Sequence, residues 1–249
     1  MARAPRRLMR MWVGLARGAA LACALVATSQ VGAQEITSAH YDGPTTRYPH
    51  AVLGDDVEYD TLVVRLSDGR EMSARWDEDV VFEDLAPRLA DVNGDTSFEV
   101  ITIESHASRG ARLAVWGLRD GQLALLAATP HIGTRFRWLA PVAWEDLDGD
   151  GLVELAYVDR PHLAKTLRVW RVSRDFDLTE VATLPDVTNH RIGWDYIAGG
   201  ARNCGQGPEM VLADAVWTQV VSVTFDGKNL QTRDLGPYTP TALEAALDC

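Results

Sequence analysis

The sequence predicts an all-β chain: a small β-propeller of four four-stranded antiparallel blades with a short C-terminal helix. Three observations predict it. Residues 85–105 ("LAPRLADVNGDTSFEVITIES") match residues 139–160 ("LAPVAWEDLDGDGLVELAYVDR"), and Glu99, Glu154 and Glu209 share one constant spacing. A turn returns at Asp68, Asp120, Asp175 and Asp226, so repeated units cover the chain after residue 33. Helical periodicity is scarce throughout. Short strands recurring at this period describe propeller blades, whereas a sandwich has no reason to repeat its sequence and a β-solenoid needs a shorter period. A fifth blade would form if the N- and C-terminal segments met as a composite.

The first 33 residues carry Arg3, Arg6, Arg7, Arg10 and Arg17 and no acid, then an apolar run over 18–28, then Val31-Gly32-Ala33. This is the pattern of a secretory signal peptide cut after Ala33, with an apolar part too short to span a bilayer. Cys23 after Ala20-Leu21-Ala22 half resembles a lipoprotein box, and Arg6-Arg7 a twin-arginine pair; both fit less well. Residues 34–249 read as one domain, with units at roughly 34–84, 85–138, 139–193 and 194–249. Removing the leader and its five arginines takes the formal charge from −11 to −16. Such a charge excludes nucleic acid and anionic membrane surfaces as partners and favours cations.

In the first unit, "YPHAVLGD" (48–55) is the expected second strand and "HYDGPTTR" (40–47) a degenerate loop, before a hairpin at Asp68-Gly69. The second unit has strands on either side of an acidic loop at 91–99, then the hairpin "LAVWGL"/"LALLAAT" around Asp120-Gly121. The third has "APVAWED" and "ELAYVD", then "LRVWRV"/"LTEVATL" around Asp175. The fourth has "PEMVLADA" and a hairpin at Asp226-Gly227. Asp-Gly between apolar alternations is a strong hairpin signal. The register places Leu113, Val115, Leu167 and Val169 in the core and gives Trp116 and Trp170 one shared environment. At the end, Thr241 and Glu244 of "TPTALEAALDC" form a capping box for a helix.

The acidic loops suggest metal. From Asp146 as position 1, Asp148 is 3, Asp150 is 5, Leu152 is 7 with its carbonyl, and Glu154 is 9. Calcium takes six to eight oxygens, and a tight loop supplies them from alternate positions. An EF-hand would place its bidentate acid at position 12, which here is Tyr157 inside a strand. In the second unit, Asp91, Asn93, Asp95, the Ser97 carbonyl and Glu99 fall on the same positions, with Thr96 in place of a glycine. The bland alternative is a pair of solvated turns, since Asp and Gly are turn formers.

An acid at position 9 followed by a β run resembles the calcium loop of FG-GAP and VCBS-type repeats, as in the integrin α-subunit propeller. The resemblance implies a calcium-binding β-propeller with two calcium sites and no particular activity. The fourth unit keeps Glu209 but has Ala201, Asn203 and Gly205 where acids belong, so calcium is not expected there. Cys204 in that loop and Cys249 are the cysteines left after the leader. Export makes their disulfide the default, with a free thiol pair as the alternative.

His40, His50, His106, His131, His162 and His190 lack zinc-type spacing and read as structural or surface residues. No nucleophile elbow, phosphate loop or dinucleotide fingerprint occurs. Trp76, Trp138, Trp144, Trp194 and Trp217 lie off the repeat register, and whether one of them faces a groove stays open. The expected function is an exported, periplasmic or secreted, calcium-stabilised binding module with a protein or glycan partner and no catalysis. The alternatives are a propeller-type glycan hydrolase or lyase with its site at the central channel, and one subunit of a larger envelope assembly.

Overall fold

A computed structural model of the chain describes residues 34–249, which are all-β apart from one helix. The signal peptide expected over residues 1–33 lies outside the described residues. Among those described, no helix is long and apolar enough to cross a membrane.

The strands are β1 (Ile36–Thr45), β2 (Glu58–Leu66), β3 (Glu71–Arg75), β4 (Val80–Phe82), β5 (Arg88–Ala90), β6 (Glu99–His106), β7 (Gly110–Arg119) and β8 (Gln122–Ala128) in one continuous antiparallel sheet. A second sheet holds β9 (Leu139–Glu145), β10 (Glu154–Asp159), β11 (Thr166–Val172) and β12 (Leu178–Leu184). The third holds β13 (Val187–Thr188), β14 (Gly200–Asn203), β15 (Pro208–Asp214), β16 (Gln219–Phe225) and β17 (Leu230–Pro237). Helix α1 (Pro240–Leu247) follows.

All four Asp turns join neighbouring antiparallel strands. At the second, Asp120 and Gly121 have φ of 52° and 72°. Positive φ at both central residues matches the right-handed twist of the flanking strands. The hairpins β7–β8 and β11–β12 each carry a bulge at the same place, Val115/Trp116 and Val169/Trp170.

The first unit departs from expectation. The supposed loop 40–47 lies mostly in β1, which pairs along β2, while the supposed strand 48–55 is a turn. Pro49 and Gly54 break the alternation there, and Tyr48 and Val52 are buried as loop anchors rather than as one face of a strand. The strands that open the second and fourth units are also split. β6 pairs with β5 at its start and with β4 at its end, and β15 pairs likewise with β14 and β13. Only β9 is continuous. β13 falls inside the preceding sequence unit yet pairs with the following one, and β4 pairs with both, joining β2 of the first unit to β6 of the second.

Both faces of the middle sheets are covered, which is why β6, β7 and β10 are almost wholly buried. Leu62, Val64, Phe82, Val100 and Trp116 fill the space between the first and second units. Ile101, Leu113, Val115, Leu155 and Tyr157, with Trp170 against them, fill the next. Val158, Leu167, Val169, Leu212 and Val223 fill the third. Leu113 and Val115 thus face forward from their unit as Leu167 and Val169 do from theirs, and Trp116 and Trp170 both face backward. The outer side of the fourth unit packs on α1 through Val211, Val220 and Leu243.

Thr239, not Thr241, caps α1: its hydroxyl accepts the Ala242 N–H, and Pro240 begins the helix. Pro at the first position loses no bond, because that N–H has no helical partner. Cys204 and Cys249 are joined, tying the chain end to the fourth unit's loop.

Candidate functional site

Each acidic loop is shaped by its own side chains. Asp146 accepts the Gly149 and Gly151 amides, Asp148 accepts Asp150 N–H, and Asp150 accepts Leu152 N–H. Glu154, opening β10, reaches back to accept Leu147 N–H at 2.9 Å. The Asp91 loop repeats this. Asp91 accepts the Gly94 and Thr96 amides, Asn93 accepts Asp95 N–H, Asp95 accepts Ser97 N–H, and Glu99 accepts Val92 N–H. Thr96 takes φ of 75° where Gly151 has 85°, so the tight turn survives the missing glycine. The cost is about 1 kcal/mol. In both loops the neighbouring hairpin stands close. A Cβ on Gly94 would lie 3.2 Å from Arg174, and one on Gly227 would lie 2.7 Å from Asp148.

The equivalent glutamates differ in their counter-ions. Arg171 lies across the Asp146 loop, bonded to Glu154 at 2.6 Å and to Asp148, with Asp150 at 3.2 Å. Burial still pushes the Glu154 carboxyl up, against the pull of Arg171. Glu209 is held by Arg202 and Arg233 at 2.6 and 3.0 Å, and its pKa is lowered: burial opposes, but Ser222 and both arginines outweigh it. At Glu99 the place of Arg171 belongs to Gly117, whose Cβ would sit 3.2 Å from Glu99 Cγ. Among the described residues no ion pair reaches Glu99 or Asp91. Burial drives Glu99 up to about 7, opposed by the Val92 amide and reinforced by Asp95 and Asp91.

These facts test the fit of calcium. One oxygen each from Asp146, Asp148 and Glu154 lie within 4.8 Å of one another, a geometry suited to a cation. That loop already contains a guanidinium, so a divalent ion would have to displace Arg171. The Asp91 loop carries Asp91, Asn93, Asp95 and Glu99 with no ion pair among the described residues, but the Arg174 guanidinium stands against Gly94 at its edge, and its acids do not converge as Asp146, Asp148 and Glu154 do. Its hard oxygen donors suit calcium better than a softer metal. The fourth loop is clamped by two arginines as well as by the disulfide.

A second cluster has no sequence signature. Glu58 and Glu83 are 3% and 0% exposed. His50 Nδ1 lies 2.5 Å from Glu83 Oε1, Ser105 donates to Oε2, and Trp138 Nε1 donates to the Glu83 carbonyl. Burial pushes Glu58 up to about 9, with Glu83, Asp55 and Asp84 adding to it. Glu83 is also raised by burial, against His50 and Ser105. Asp84 is bound by Arg88 through two bonds, at 2.6 and 3.0 Å. His162 and His190 share a 3.0 Å ring bond nearby. Since His190 Nε2 must donate to the Trp194 carbonyl, its Nδ1 accepts from His162 Nε2. The space beside His50 and His162 is only about 20 Å³.

A groove of about 640 Å³ opens between the first strands of the second, third and fourth units, β5, β9 and β14, with Leu85, Trp144, Glu145, Tyr196 and Leu247 on its walls. Arg88 lies over the Trp144 ring at 5.4 Å. Tyr196 stacks on Trp194 at 4.6 Å, which meets Trp217, and Trp217 meets Tyr238. Sequence reasoning missed Arg171 and the groove. The first was visible as "VWRV" against "VWGL" in aligned hairpins; the second is assembled from three separate units.

No family model matches the chain, and no curated protein matches it. Among solved structures it is similar to a Lactobacillus plantarum protein whose crystal structure was determined as a structural-genomics target. The two share 18% identity over 72% of this chain, with a TM-score of 0.38. The match covers 53% of that protein.

Proposed function

We propose that the chain is an exported, calcium-stabilised binding module built as a small four-unit propeller of the FG-GAP or VCBS type, without catalysis of its own. The observation that carries the binding reading is the aromatic groove between β5, β9 and β14, open to solvent and large enough for a ligand. The three interlayer cores support a propeller-type stack. β1 and β17 lie in different sheets, which favours four units over a composite fifth. Periplasmic or secreted placement rests on the leader and agrees with the disulfide.

The glycan hydrolase or lyase reading draws on Glu58 and Glu83, whose raised pKa values are typical of functional carboxylates. Both are enclosed, however, and the adjoining space is too small for a sugar. Glycan turnover abolished by Glu83→Gln would establish the enzyme reading instead.

Calcium serves stability in this proposal, with the Asp91 loop as the stronger site and the Asp146 loop as the weaker. A saturated site at about 100 times its dissociation constant adds roughly 2.7 kcal/mol, or on the order of 5–10 °C in melting midpoint. Asp91→Ala with Asp95→Ala should remove most of the shift between chelator and millimolar calcium. Asp146→Ala with Asp148→Ala should remove less. No shift in chelator-stripped wild type returns both loops to solvated turns. For the partner, immobilised protein is screened against glycans and envelope-protein fragments, with Tyr196→Ala as control; binding that ignores the control sinks the groove as the site.

A further inference from the structure

We infer that the end of the third and fourth units opposite the acidic loops docks on a zwitterionic lipid bilayer, a surface beyond the groove. Leu163, Ile192 and Val216 are 62%, 71% and 70% exposed. They sit on three different loops: the β10–β11 turn, the link from β13 to β14, and the β15–β16 turn. Those loops hold one another in place. Lys165 Nζ donates to the Ala215 carbonyl at 2.7 Å, the Val187 N–H donates to the Lys165 carbonyl at 3.1 Å, and His162 bonds His190. The Arg191 guanidinium lies over Trp217 at 4.6 Å and over Trp194 at 5.6 Å. Three aliphatic side chains thus project from one braced end. Single exposed apolar residues need no explanation, but a group of them on neighbouring loops marks an interaction surface.

Shape and polarity select lipid. A protein partner needs a matching hollow for each projecting tip, whereas the acyl region of a bilayer accepts them in any arrangement. Trp194, Trp217 and Tyr238 form a half-buried aromatic row beside the tips. The indole N–H groups of Trp116, Trp138 and Trp170 donate within the protein, while among the described residues those of Trp194 and Trp217 have no acceptor. Rings with an apolar body and a free polar edge collect at the headgroup level of membranes. Charge then selects the kind of lipid. Lys165 and Arg191 on these loops face Asp186 and Asp195 on the same segments, and none of the four is in an ion pair among the described residues. Around them, Arg135 and Arg137, flanking Phe136 beside Leu163, are offset by Asp55 and Asp56, in the turn whose Val52 carbonyl accepts the Gly193 N–H. The Asp146 loop is held away: β10 runs from Glu154 to Asp159, which places that loop at the far end of the strand, on the order of 20 Å off. A locally balanced surface suits headgroups that are neutral overall, and the chain's net negative charge opposes an anionic bilayer.

The test floats the purified protein with phosphatidylcholine–phosphatidylethanolamine vesicles, wild type beside Leu163→Ser, Ile192→Ser, Val216→Ser and the triple variant, all alike outside these positions. Wild type should rise with the vesicles. Each serine should weaken partitioning roughly ten-fold, the effect of losing much of one aliphatic side chain's transfer into hydrocarbon, and the triple variant should stay behind. Because all three positions are exposed, the melting midpoints should match wild type. Adding phosphatidylglycerol to the vesicles should weaken binding. Absence of wild-type binding, or binding that the triple variant keeps, overturns the proposal. So does binding that requires phosphatidylglycerol and disappears in salt, since the attraction would then be electrostatic. Wild type that ignores vesicles but self-associates in sedimentation velocity, with the triple variant monomeric, would assign the surface to a second copy of the chain and overturn the lipid reading.

Discussion

Arg171→Met should lower the melting midpoint in chelator by roughly 6–20 °C. The Glu154 side chain is wholly buried and Arg171 is one-fifth exposed. Removing one partner of such a pair strands the other charge, at a cost of about 3–5 kcal/mol, and each kcal/mol moves the midpoint of a domain this size by roughly 2–4 °C. The loss extends beyond Glu154, because the same guanidinium faces Asp148 and Asp150 and lies 5.7 Å from the Phe225 ring. Methionine keeps much of the stem's packing and deletes the charge, which isolates the electrostatic part. Calcium should then recover a good share of the loss, since the variant loop resembles the Asp91 loop, with acids and no ion-paired cation. Melting curves of wild type, Arg171→Met and Arg171→Met with Glu154→Gln, each in chelator and in millimolar calcium, decide it. A loss below about 1 kcal/mol in chelator would show that the guanidinium is not the loop's counter-ion.

The contrast between Arg171 and Gly117 also shows what the sequence could and could not reveal. Hairpins were legible because their determinants are local: Asp120-Gly121 sets its own turn, and alternating Leu and Val set the facing of β7 and β11. The loops were legible for the same reason, each Asp bonding amides within five residues. Their charge balance was legible only by aligning the hairpins, Arg171 against Gly117, because Glu154 meets Arg171 only once β10 and β11 pair. The first unit misled because Tyr48 and Val52 are as apolar as strand residues but are buried at the tip of a turn. The split first strands and the groove depend on packing between units, which no short spacing encodes. The cluster of Glu58, Glu83 and His50 is likewise assembled from three separate stretches.

That cluster yields the other large effect: Glu58→Gln should stabilise the protein by roughly 2–3 kcal/mol at pH 7. Burial and the neighbouring acids hold the folded Glu58 pKa near 9, against an ordinary 4.5. Between those values the folded state keeps a proton that the unfolded chain has released. Stability from this group is therefore greatest below about pH 4.5, falls as pH rises, and levels off above about 9. At pH 7 the deficit spans some 2.5 pH units, roughly 3 kcal/mol at 1.36 kcal/mol per unit. Coupling to Glu83 shares part of it between the two carboxyls. Glutamine has the same shape and no charge to lose, so it escapes the deficit. No hydrogen bond among the described residues satisfies the Glu58 carboxyl, so the substitution breaks none. Urea denaturation of both proteins at pH 4.5, 7 and 9, in constant calcium, gives the difference directly and cancels the titrating groups that do not interact with Glu58. That difference should be near zero at pH 4.5 and grow steadily to pH 9. A difference that is flat with pH, or a variant less stable than wild type at pH 7, would mean that Glu58 is charged in the folded protein and held by a partner.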